Sequence, residues 1–84
     1  MAWVVRGKRK IEVKASELAP GDIVVVYPGG MIPVDGEVLK GRAIVDQKTI
    51  TGESMPVDLQ AGSKVYAATV VRDGKLYLKT TRES

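Results

Sequence analysis

The apolar residues of this chain come in short β-branched runs, and nearly every run is closed by glycine or proline. Valine and isoleucine in runs of this length fit a pleated, half-buried surface, and the glycines and prolines between them mark turns. The pattern predicts a mainly β domain. Strands are expected near "AWVVR", "KIEVK", "DIVVVY", "GEVLKG", "AIVD", "SKVYAATVV" and "KLYLKT". Gly7 suits the tight turn between the first two, "YPGG" predicts a second sharp turn, and Asp73-Gly74 in "RDGK" predicts a third, as a hairpin. "ASELAPGD" predicts one helical turn, capped by Ser16 and ended by Pro20-Gly21. The run Ile23 to Val26 is apolar on both sides, so this strand is expected to be central and covered on both faces. In "KLYLKT" the alternation puts Leu76 and Leu78 on one face and Lys75, Tyr77 and Lys79 on the other.

With 84 residues, the chain has room for a single domain and a small core. Stability is expected at the low end of the usual range of roughly 5 to 15 kcal/mol. The chain has no cysteine and no histidine, which removes disulfide staples, thiol nucleophiles, histidine-based triads and the usual structural zinc sites. Phenylalanine is absent as well, so valine, isoleucine and leucine must supply most of the core. The formal charge is +3, and the one basic run, Arg6, Lys8, Arg9 and Lys10, reads as a solvated turn. No apolar stretch approaches the ~18 residues of a membrane-spanning helix, and the first residues do not open a signal peptide. The chain by itself is expected to be soluble.

The remaining candidates for chemistry are carboxylates: Asp22, Asp35, Glu37, Asp46, Glu53 and Asp58. Asp35 and Glu37 are too few for a hard-cation site that wants roughly six oxygens. Asp35-Gly36 reads most simply as a turn in which the carboxylate bonds to nearby amides. No metal or cofactor site is expected. Gly36 to Gly41 has the glycine spacing of a phosphate loop, but Arg42 and Ala43 stand where lysine and a hydroxyl residue belong. Glu53 is set apart by its neighbours in "TITGESMPVD". Gly52 permits backbone angles barred to other residues, Thr51 and Ser54 flank it with hydroxyls, and Pro56 fixes the exit of the loop. A glutamate at such a tip is able to take a proton from water and aim that water at an electrophile. From spacing alone, a plain surface turn remains the simpler reading.

"VDQKTITGESMPV", with "PGDIVVVYPGGMIPVDGEVLKG" before it and "GSKVYAATVVRDGKL" after it, resembles the actuator domain of P-type ATPases. The resemblance runs from about Val4 to Lys79. It implies a small, distorted β-sandwich or jelly-roll-like domain with one short helical turn, spanning residues 1–84 as a fragment of a larger membrane pump, with Met1 and Ala2 as additions ahead of it. It implies that Thr51, Gly52 and Glu53 form the loop that docks on the phosphorylation domain. There Glu53 would act as general base on the water that hydrolyses an aspartyl phosphate, with Ser54, Pro56 and Asp46 supporting the loop. The implied partners are the phosphorylation domain, the nucleotide-binding domain and the transmembrane helices of the same polypeptide. ATP and Mg2+ would serve the whole pump, not this fragment, which is expected to be monomeric and to hydrolyse nothing alone. The implied place is the cytoplasmic face of a membrane.

"GGMIPVDGEV" is closest to the heavy-metal branch of copper, zinc and cadmium pumps. Met31, Ile50, Asp58, Ala68 and Val71 depart from the family's usual residues, Ala68 and Val71 standing in "AATVV" where "AGT-x-N" is typical. The alternative is a small nucleic-acid-binding β-barrel, suggested by "PGDIVVVYPGG" and the positive charge. Against it, the chain has only four aromatic residues for base stacking.

Overall fold

In a computed structural model, which describes residues 2–52 and 55–81, the apolar runs form one antiparallel sheet. The elements are β1 (Ala2–Arg6), β2 (Arg9–Val13), a 3-10 turn (Ala15–Glu17), β3 (Ile23–Val26), β4 (Gly36–Asp46), α1 (Lys48–Thr51), β5 (Val57–Gln60), β6 (Lys64–Val65) and β7 (Val70–Thr80). The strand order is β2-β1-β3-β7-β4-β5, with β6 pairing the start of β4. β1 and β2 join through Gly7-Lys8, with Gly7 at φ 63.

Period-2 alternation sorts the side chains. Ile11, Val4, Val24, Leu78 and Val38 stand in one cross-strand row. All but the partly buried Ile11 are fully enclosed. Val26, Leu76, Ala43, Val45, Leu59 and Val71 extend the same core. β3 lies between β1 and β7, and Val25, which points away from that core, is only 2% exposed, so the strand is covered on both faces as its sequence implies.

The structure departs from the sequence reading at four places. "GEVLKG" and "AIVD" are one eleven-residue strand, β4. "SKVYAATVV" is not one strand: Lys64–Val65 pairs with β4, residues 66–69 turn, and Val70 begins β7. The turn is held by the Thr69 hydroxyl donating to the Tyr66 carbonyl at 2.7 Å. Asp73-Gly74 is no hairpin but a point inside β7, where Ile44 pairs with Asp73 and Val45 with Val71, leaving Arg72 as the extra residue of a bulge. Gly74 still takes the positive φ, 85°, that its sequence suggests. That freedom serves a bend in a long strand, as bulges do, and not a reversal. Ser16 caps nothing: it sits inside the 3-10 turn, and the Glu17 carboxylate instead accepts the Lys14 N–H at 3.2 Å.

Two smaller expectations gain specific partners. Asp35 accepts a hydrogen bond from the Ala67 N–H at 2.9 Å, a partner 32 residues away, and so ties two loops together. The basic run is exposed around the β1–β2 hairpin, but Arg6 lies 3.8 Å from Asp22 and Lys10 reaches Tyr27.

Candidate catalytic loop

The segment between β4 and β5 connects two paired strands, since Val45 lies opposite Val57. Its entry is built by Asp46, the last residue of β4. One carboxylate oxygen accepts the Lys48 N–H at 2.8 Å, and the other meets Arg72 Nη1 on β7 at 3.1 Å. This bond satisfies one of the free amides at the start of α1, the single helical turn that the sequence reading had taken as plain loop. A second tether joins α1 to the turn before β7: the Thr49 hydroxyl donates to the Ala68 carbonyl at 2.8 Å.

α1 ends at Gly52, which takes the left-handed conformation at φ 76 and donates its N–H to the Lys48 carbonyl at 2.9 Å. Glycine is the residue that adopts this C-terminal cap without steric cost. Among the described residues, nothing lies within 4 Å of a Cβ placed on Gly52, so there is open space at that position. Ile50 and Met55, 48% and 75% exposed, present apolar side chains on either side of the tip. Thr51 is the last residue of α1, and Pro56 leads directly into β5. Glu53 and Ser54, the expected base and its hydroxyl neighbour, lie outside the described residues.

Asp46 stands at the entry to the segment and bonds both Lys48 and Arg72. Thr49, Ala68 and Arg72 were missed by sequence reasoning. For Ala68 a signal existed, because the resemblance marks a glycine there as usual. Ala68 adopts φ 70, the sole positive φ of a non-glycine among the described residues. A left-handed alanine costs about 1 to 2 kcal/mol. Ala68→Gly is expected to raise the melting temperature by about 2 to 6 °C, after allowing for glycine's greater freedom in the unfolded chain. A lowered melting temperature would contradict the strain.

The pKa of Asp46 is lowered from the ordinary carboxylate value, chiefly by the Lys48 N–H and further by Arg72, against an opposing desolvation. A depressed folded pKa stabilises the fold above the unfolded carboxylate value of about 3.9, and the contribution is lost as pH falls through the folded value. The stability gap between wild type and Asp46→Asn, measured by denaturant unfolding, should thus be widest near neutrality and narrow below about pH 4. A gap independent of pH would show that the charge of Asp46 contributes nothing. Asp58 is lowered in the same direction by its hydrogen bonds to Arg42, whose guanidinium grips it across β4 and β5 at 2.5–3.2 Å. Both side chains are largely exposed, and such surface pairs add little to stability.

No group of three or more acidic, histidine or cysteine side chains among the described residues is placed to hold a metal ion. No described helix is long and apolar enough to cross a membrane. The sequence model of the P-type ATPase actuator domain matches residues 1–84. The chain belongs to this family. The actuator domain is 56% identical over 71 residues to a probable cobalt/nickel-exporting P-type ATPase of Mycobacterium tuberculosis, covering 84% of this chain and 11% of that protein. It is 44% identical over 81 residues to a probable copper-exporting P-type ATPase of Archaeoglobus fulgidus, covering 96% of this chain and 10% of that one. In structure it superposes on a zinc-transporting PIB-type ATPase crystallised in the E2.Pi state with a TM-score of 0.91 at 36% identity, covering 98% of this chain and 14% of that chain. The actuator domain thus spans about a tenth of the length of the curated relatives. The match leaves the nucleic-acid-binding barrel without support.

Proposed function

We propose that this actuator domain belongs to a heavy-metal cation pump and that its Thr51-Gly52-Glu53 loop completes the site at which an aspartyl phosphate is hydrolysed. The observation that carries the reading is the build of the loop's base. Asp46 ties a short helical turn to β7 and Thr49 ties it to the turn before β7, and the helical turn ends on a glycine with open space at its Cβ position, immediately before Glu53. A carboxylate carried there is an ordinary weak base in water. Docked against a phosphorylated partner domain of the same polypeptide, it would be desolvated and its pKa raised towards the working pH, as general-base catalysis requires. Gly52 permits the close approach, and exposed Ile50 and Met55 offer apolar surface for the docked state.

The ion follows from the relatives, which are named as copper, cobalt/nickel and zinc pumps, and so is proposed only as a heavy-metal cation. The domain is placed on the cytoplasmic side of the membrane, joined to the phosphorylation domain, the nucleotide-binding domain and membrane helices. ATP and Mg2+ act on those other domains. Time-resolved loss of the phosphorylated intermediate in the Glu53→Gln pump tests the reading.

A further inference from the structure

The sheet face opposite the core carries an arrangement that the loop does not use. Trp3, Val25, Tyr77 and Lys40 form a cross-strand row on that face. Val5, Ile23, Leu39, Lys40 and Tyr77 line a depression of about 180 Å³. Trp3 and Leu39 are 41% and 46% exposed, which leaves large apolar surface open to solvent.

Three lysines surround this apolar patch. Lys40 Nζ lies 4.4 Å from the centre of the Tyr77 ring, Lys75 Nζ lies 5.3 Å from Tyr77 and 5.8 Å from Tyr27, and Lys10 Nζ lies 5.5 Å from Tyr27. Lys10 also donates to the Tyr27 hydroxyl at 2.9 Å. Among the described residues the ion pairs are Arg6–Asp22, Arg42–Asp58 and Arg72–Asp46, so none of the three ammonium groups is neutralised by a carboxylate. Glu12, opposite Trp3, and Glu37, opposite Lys79, stand at the margins of the face. The local field is positive enough to lower the Tyr77 pKa, first through the Lys75 hydrogen bond and then, against desolvation, through the charges of Lys10, Lys75 and Lys40.

Cations poised on tyrosine faces are attracted to the rings and lose little further freedom when an anion arrives. An apolar centre inside a charged rim is the layout of a protein-recognition patch. The depression is smaller than the roughly 300–1,000 Å³ of small-molecule sites, so it suits a single anchoring side chain. A bilayer offers charge but no protruding anchor. We propose that this face docks a short acidic peptide segment bearing one large apolar residue, whose side chain enters the Val5–Ile23–Leu39–Tyr77 depression while its carboxylates meet Lys10, Lys40 and Lys75. The site shares no residue with the loop carrying Glu53, so the two readings stand or fall separately.

Trp3 is the one tryptophan of the chain and lies on this face, so its fluorescence reports occupancy directly. The probe is a blocked peptide of glutamates with one central leucine, titrated into the 84-residue chain at low salt. A saturable change is expected, weakened about tenfold by the Lys40→Gln/Lys75→Gln double substitution and by glycine in place of the peptide's leucine. Higher salt should weaken it further. Unchanged far-UV circular dichroism in the double variant would attribute its loss to the surface. The proposal is overturned by the absence of saturable binding, by equal binding of the glycine peptide, or by indifference to the lysine substitutions. Binding of phosphatidylserine vesicles without binding of the peptide would equally overturn it, and make the face a lipid contact.

Discussion

Glu53→Gln in the pump that carries this domain is expected to leave phosphorylation by ATP intact and to slow loss of the aspartyl phosphate by about 10²–10⁴-fold, the range in which a positioned general base contributes. Glutamine keeps the size and hydrogen-bonding reach of the side chain but takes no proton from water. The phosphorylated intermediate should accumulate, and overall turnover should fall with it. The slowing should exceed that of any substitution at Asp46 or Arg72, which act on the base of the loop and not on the reacting water. Rapid dephosphorylation of the Glu53→Gln pump would remove Glu53 from the chemistry, while leaving the family and fold untouched.

The largest loss of stability is expected at Gly74. It sits at φ 85 inside β7, and a Cβ there would run into the carbonyl of Arg42 and approach the Ala43 Cα to 2.9 Å. Both obstacles are backbone of the paired strand β4, so no side-chain rotation relieves them. Gly74→Ala should cost about 3 kcal/mol or more, combining left-handed strain with forced separation of β4 and β7. In a domain of this size that lowers the melting temperature by at least ~12 °C. Gly74→Val should fail to fold. Gly62 supplies the control: it has φ 92 but nothing within 4 Å of its Cβ position, so Gly62→Ala should cost the strain alone. Equal costs at the two glycines would show that β4 and β7 yield at the bulge.

Much of the domain was legible from local pattern. The period-2 sorting of Leu76 and Leu78 from Tyr77, the double coverage of β3 and the turn at Gly7 all follow from side-chain alternation and glycine's freedom. At the candidate loop, the conformational freedom of Gly52 was legible, and it takes φ 76. What failed was the assignment of Asp73-Gly74. The same dipeptide that reverses a chain in a two-residue hairpin also bends a strand at a bulge, and only the strand lying opposite decides between the two. The splitting of "SKVYAATVV" failed for a related reason, because Ala68 takes a conformation that its residue type disfavours and that the turn before β7 imposes.

Residue type and spacing by themselves therefore determined that the chain is mainly β, which side chains of β7 face the core, and that Gly7, Gly52 and Gly74 carry positive φ. These are consequences of each residue's own sterics and of an alternation that repeats within a few positions. The tertiary structure alone decided that β4 and β7 run unbroken past their bulges, that Arg72 and Ala68 reach the base of the loop, and that three lysines gather over two tyrosines. Each of those joins residues far apart in the chain, through a strand register that the shared core sets and no local pattern contains.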